Sequence, residues 1–246
     1  MVIKMNKKRI LLFCAHPDDA ELCAGGTIKK FVSKGYKVKV VIMTNGGVGN
    51  NDMNVSKTVD IRNVEMQNAA SFLNYEVKNL NINDGEVLPT LEYRKLVIDE
   101  IRKFKPDIIM THRSNDYHPD HRYTSILVQD SLVLICTGNY CPTYSPLNYT
   151  PITLFFWDRF TKPNSFNADI VYDITNEFED KVEALSKHKS QYKSIDECRN
   201  VLIDINNELK QNIESNYKYI EAFEICEYAK KDELIAFLES KSKIFG

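Results

Sequence analysis

The chain carries two short segments in which histidine and aspartate stand at ligand spacing, His16-Pro17-Asp18-Asp19 and His118-Pro119-Asp120-His121. Three of its five histidines lie in them. Imidazole and carboxylate are the ligands of a hydrolytic zinc centre, which takes three protein ligands and keeps one position open. His16 and Asp19 stand where a helix is expected to begin, so both can face one point. His121, at another helix start, is the third candidate ligand. Asp18 is then beside a ligand without being needed as one, and could accept a proton from an attacking water. His118 could stabilise an oxyanion if protonated, with Asp120 favouring its charged form. The plainer alternative is that Asp19 and Asp120 only cap their helices, as aspartates often do.

The surrounding pattern supplies the elements that would position these residues. Residues 9–15 form a continuous apolar run ending at His16, and residues 107–112 form another shortly before His118. Such runs suit strands covered on both faces. In open α/β sheets, ligands bind outside the carboxyl ends of the strands, so the two segments are placed to converge. Helices are expected at 20–34, closed by Gly35, at about 58–73, at 91–104 before Pro106, and at 121–136. Strands are expected at 37–44 and 77–82, the second followed by the Asn83-Asp84-Gly85 turn. This alternation predicts an α/β, Rossmann-like, doubly wound and mostly parallel sheet with helices on both faces. Further strands are expected at 152–157 and 170–174 and a helix at 175–188, and from 196 to 246 the sequence reads as a helical C-terminal region. No linker interrupts the pattern, so a single domain over 1–246 is expected, with a core over about 9–191.

Bulk properties narrow the partner. The 246 residues are 43% hydrophobic and 27% charged, ordinary for a globular domain with a sizeable core. Lys and Arg total 32 against 34 Asp and Glu, a net charge of −2. That balance gives no support for nucleic-acid or anionic-membrane binding. No run approaches the ~20 apolar residues of a membrane span, and the run after the charged N-terminus is too short for a signal sequence. Six cysteines without a C-x-x-C pair read as reduced thiols, hence a cytoplasmic protein. Cys136 and Cys141 are a poor metal pair without further ligands. A small-molecule substrate is expected.

Residues 15–22, Ala-His-Pro-Asp-Asp-Ala-Glu-Leu, and 117–122, Tyr-His-Pro-Asp-His-Arg, resemble the two signature motifs of the LmbE-like, or PIG-L, N-acetylglucosaminyl deacetylases. Thr44-Asn45-Gly46 resembles that family's Thr-x-Gly, Arg62-Asn-Val-Glu65 its Arg-x-x-Glu helix, and residues 184–191 a stretch near the last crossover. The resemblance implies a Rossmann-like fold and Zn2+, or Fe2+ in its place, held by His16, Asp19 and His121. It implies Asp18 as general base and later acid, and His118 as oxyanion stabiliser oriented by Asp120. Arg62 and Asp84 fall where the family binds sugar hydroxyls, though a surface salt bridge is an equal alternative for each. His188 is a further substrate-binding candidate. The implied substrate is an acetylated amino sugar, and since the family often assembles, a homo-oligomer is a further option. The chain departs from the pattern at Gly46-Gly47-Val48-Gly49, where the family often has an acidic residue, and after Gln191 apart from Tyr219-Ile-Glu-Ala-Phe223.

Three other readings are weaker. A non-haem iron oxygenase also uses two histidines and a carboxylate, but needs a β-barrel that this pattern does not give. A nucleotide-binding module would rest on Gly46–Gly49, which lacks G-x-G-x-x-G and follows the second strand. A metal protein without catalysis has no use for Asp18.

Overall fold

The structure, a computed structural model, describes residues 8–226. The elements run β1 (Arg9–Cys14), α1 (Asp19–Ser33), β2 (Lys37–Thr44), α2 (Val55–Leu73), β3 (Glu76–Ile82), α3 (Leu91–Phe104), β4 (Ile108–Thr111) and α4 (Pro119–Leu134). They continue with β5 (Ile152–Phe156), β6 (Ile170–Asp173), α5 (Phe178–Leu185), α6 (Ile195–Lys210) and β7 (Ile220–Ile225). The seven strands form one sheet in the order β3-β2-β1-β4-β5-β7-β6. The first five pair in parallel, whereas β7 lies antiparallel to both β5 and β6. The fold is α/β, with a mixed sheet.

Side chains of β1 show why helices cover both faces. Ile10, Leu12 and Cys14 point into one core with Ile28 and Phe31 of α1, Met66 of α2 and Val182 of α5. Leu11 and Phe13 point into the other, with Val97 and Ile101 of α3 and Leu127 and Leu132 of α4. A central strand buried on both sides leaves no polar position to alternate. Local signals set the helix ends. Asn54 and Thr90 accept the N–H of Lys57 and Tyr93 as N-caps, and Asn74 and Lys105 close α2 and α3 in the left-handed conformation.

The C-terminal region differs from the helical expectation. Helix α6 is present, but residues 220–225 form strand β7, inserted between β5 and β6, and residues 227–246 lie outside the described residues. Two glutamates in this segment make it read as a solvated helix. Instead Glu221 is 2% exposed and accepts from Lys181 Nζ and from the backbone N–H groups of Gly26 and Thr27. These N–H groups are free because α1 departs from helical dihedrals at Ala24. A carboxylate from β7 therefore fixes the helix that begins at Asp19. Glu221→Ala should lower the free energy of unfolding by about 3 kcal/mol or more, because Lys181 is left buried without its partner. Urea denaturation checks this, and an unchanged midpoint would show that the pair holds nothing.

Candidate metal centre

Strands β1 and β4 are neighbours at the point where the winding of the sheet reverses, with β2 and β3 on one side and β5 on the other. That switch point opens a crevice above the strand ends. The loop after β1 delivers His16, Asp18 and Asp19 there, and the loop after β4 delivers Asp116, His118 and His121. All six line one cavity of about 710 Å3, together with Arg62, Asp84 and His112.

Neither aspartate of the first segment caps its helix. Asp18 occupies the N-cap position of α1 without a side-chain capping bond. Its carboxylate accepts from Arg62 Nη2 at 2.8 Å, with the Tyr192 hydroxyl 3.5 Å from the other oxygen. Asp19 folds back so that Oδ2 accepts the N–H of His16 at 2.7 Å. In the second segment, His118 is the N-cap of α4, its Nδ1 accepting the N–H of Asp120. A neutral His118 then carries its ring proton on Nε2.

Two ring nitrogens and the Asp19 carboxylate face one another. His16 Nδ1 is 3.1 Å from His121 Nε2 and 3.6 Å from Asp19 Oδ2, and His121 Nε2 is 3.6 Å from Asp19 Oδ1. Bonds of about 2.1 Å at tetrahedral angles separate ligand atoms by about 3.4 Å. These spacings are near those of a zinc ion's ligands, and the donor groups that could hold an ion here also include His118 with His16 and His121, and His112 with Asp19 and His121. Neighbouring groups have partners of their own. His112 Nε2 accepts the N–H of Ala15 and also lies 3.1 Å from Asp19 Oδ2, and Asp84 accepts the N–H of Val48.

The outer atoms of the two histidines meet carboxylates. His16 Nε2 lies 3.3 Å from Asp84 Oδ1 and 3.4 Å from Asp120 Oδ2, and His121 Nδ1 lies 3.0 Å from Asp116 Oδ2. Such partners fix ring orientation and raise ligand basicity. Asp120 is itself fixed by the N–H groups of Gly85 and Val87, at 2.7 and 3.1 Å. Its expected place behind His118 is therefore corrected. The loop after β3 captures the carboxylate and turns it to His16, and only the backbone of Asp120 reaches His118.

Electrostatics follow from this crowding. Burial would lower the pKa of His16, but hydrogen bonds to Asp120, Asp19 and Asp84 hold it well above the ordinary value. Burial acts likewise on His121, yet Asp19 and Asp116 raise it to about 9. Asp19 is held well below the usual carboxylate range, because His121 and His112 outweigh its burial. His118 is pushed down by burial and then by His16 and His121.

Arg62 is 3% exposed and ties the carboxylate of Asp18 to the carbonyl of Gly46. It is no surface salt bridge, and a side chain on Gly46 or Gly49 would collide with its guanidinium. His188 lies away from the cavity wall. It is 0% exposed and bonds Glu21, which also accepts from Tyr75. Its ring turns to Glu21 rather than to the cavity, so no contact here supports the substrate-binding expectation for His188. Sequence reasoning missed Asp116 and His112. Asp116, two residues before His118, stood in the same polar loop and could have been weighed. His112, at the end of a buried strand, gave no signal of its own.

Residues 11–132 match the family model described as PIG-L: GlcNAc-PI de-N-acetylase. The chain carries a PIG-L, or LmbE-like, domain. Among similar proteins, a diacetylchitobiose deacetylase of Thermococcus kodakarensis is 29% identical over 195 residues, 75% of this chain and 70% of that one. A 4-oxalmesaconate hydratase of Pseudomonas putida is 25% identical over 73% of this chain and 72% of its own. The solved N,N'-diacetylchitobiose deacetylase from Pyrococcus horikoshii, in complex with an inhibitor, superposes with a TM-score of 0.75 at 27% identity. It covers 90% of this chain and 84% of that one.

Two outcomes are expected of this centre. The raised pKa values of His16 and His121 mean that protons compete with a metal for their ring nitrogens near neutral pH. Affinity for Zn2+ should therefore rise with pH from 6 to 8, with about one to two protons released on binding. Calorimetry in buffers of different ionisation enthalpy measures this, and a pH-independent affinity would contradict it. Asp116→Asn should weaken metal binding by about ten- to a hundredfold through misorientation of His121, read by chelator competition. Unchanged affinity would remove Asp116 from that role.

Proposed function

We propose that the protein is a metal-dependent N-deacetylase that hydrolyses the acetamide of an N-acetylglucosamine-containing small molecule. The observation that carries this reading is the convergence of His16 Nδ1, His121 Nε2 and the Asp19 carboxylate, beside an Asp18 carboxylate that pairs with Arg62 instead. The names of similar proteins support it, since those from Thermococcus and Pyrococcus deacetylate diacetylchitobiose. His16, Asp19 and His121 would hold Zn2+, or Fe2+ on the same donors. When bound, that ion supplies Lewis-acid polarisation of the amide carbonyl and lowers the pKa of water beside it.

The chain's own residues supply the rest. Asp18 takes a proton from the attacking water as the C–O bond forms, and returns it to nitrogen as the C–N bond breaks. Free amine and acetate are the products. Arg62 and Tyr192 hold Asp18 in place through both proton transfers. His118 donates from Nε2 to the developing oxyanion. Arg62, Asp84 and Gln191 line the polar end of the cavity, where sugar hydroxyls would bind. Six free cysteines fit a reducing, cytoplasmic setting, and no described helix is long and apolar enough to cross a membrane.

Asp18→Asn should retain one bound metal while kcat falls by about a hundredfold or more, the usual scale for a lost general base. Metal content and amine release together check this, and full activity with metal bound would remove Asp18 from the role. A screen of N-acetylglucosamine, its malate and inositol glycosides and chitobiose tests the substrate class. The similar 4-oxalmesaconate hydratase of Pseudomonas putida makes water addition to an unsaturated carboxylate the second reading, favoured if that activity appears and no amine is released.

A further inference from the structure

The cavity does not end at the metal centre. Its 710 Å3 fall within the range of about 300–1,000 Å3 that takes drug-sized molecules. From the ends of β1 and β4 it extends in two directions along the rim of the sheet. Toward β2 and β3 it is polar, lined by Arg62, Asp84 and Gln191, and Arg62 Nε is buried there without a partner. Toward β7 and β6 it is apolar. Leu22 and Cys23 of α1, Ile174 after β6, Leu202 and Ile205 of α6 and Tyr219 before β7 form its walls.

The deeper polar side chains on this second arm are satisfied by the protein, whereas Arg159 stands exposed beside α6, 3.5 Å from Glu208. Lys181 and Glu221 pair with each other, and Glu221 also takes the N–H groups of Gly26 and Thr27. Asn206 donates to the Lys218 carbonyl and accepts the Ile220 N–H. A polar ligand would find no free partner among these deeper groups and would lose its own hydration. An apolar group would lose nothing and would cover the half-buried Leu22, Cys23 and Ile205. Leu22 and Cys23 follow Asp19 by three and four positions on α1, so the arm begins on the helix face that presents Asp19.

We propose that the apolar arm receives the acyl chain of the substrate, and that the preferred substrates are N-acyl amino sugars with an aliphatic chain longer than acetyl. The assignment rests on the amide hydrolysis proposed above. With the sugar at the polar end and its nitrogen at the metal centre, the acyl group leaves nitrogen on the opposite side, toward Leu22 and Ile205. The reaction is unchanged: water adds to the carbonyl carbon, the C–N bond breaks, and a fatty carboxylate departs in place of acetate.

The test is a series of N-acetyl-, N-butanoyl-, N-hexanoyl- and N-octanoylglucosamine with the metal-loaded protein, read as kcat/KM for amine release. The value should rise at least tenfold from acetyl to hexanoyl, since each buried methylene contributes about a threefold to fourfold gain. Ile205→Phe, which narrows the arm, should lower the octanoyl-to-acetyl ratio about tenfold. Trp157, the chain's single tryptophan, lines the cavity, and its fluorescence in Asp18→Asn reports binding without turnover. Amine release that is flat or greatest for acetyl would overturn the acyl arm and leave the deacetylase reading standing. No amine from any member, with octanoyl bound at least tenfold tighter than acetyl, would sink the hydrolysis reading and support the arm. Equal affinity for both chains would overturn the arm.

Discussion

Parallel pairing of β1 with β4 brings His16 within 3.1 Å of His121, though 105 residues separate them in the chain. Each loop alone offers an incomplete set of donors. The ladder that holds Phe13 against Thr111 sets the distance between the loops, and everything in the cavity is arranged around that distance. The strands are buried on both faces, so their register is held by two cores at once. A slip of one residue would turn every side chain of β1 to the wrong core. The precision of the centre is thus inherited from the sheet rather than built by the loops.

The same closeness carries a cost. Asp18, Asp19, Asp84, Asp116 and Asp120 crowd around His16 and His121 in a largely buried space, which ordinary folding would avoid. The cost is offset in part by fixed hydrogen bonds. Backbone N–H groups of Gly85 and Val87 hold Asp120, that of Val48 holds Asp84, and Arg62 holds Asp18. What remains is a surplus of negative charge that protons on the two histidines relieve and a divalent ion would relieve better. Sites of this kind trade stability for a preorganised field.

Much of this was legible in the sequence because residue type and position relative to strand ends carry the information. Apolar runs at 9–15 and 107–112 gave the strands, and the two His-Pro-Asp segments gave the loops beyond them. What was not legible depends on where a side chain turns. Asp120 could have faced His118 or His16, and the backbone of residues 85–87, folded from elsewhere, decides between them. His188 shares a polar stretch with Gln191, which lines the cavity, yet Glu21 draws it under α1. Strand β7 was hidden because Glu221, a residue typical of exposed helices, serves here as an internal partner for Lys181 and the kink of α1. In each case a long-range contact overrode a local pattern.

X-ray absorption at the metal edge of the zinc-loaded protein tests the centre most directly. One site is expected, with two imidazole nitrogens and carboxylate oxygen at about 2.0–2.2 Å. Sulfur at about 2.3 Å, which would implicate Cys23, or the absence of imidazole scattering would contradict the assignment of His16, Asp19 and His121.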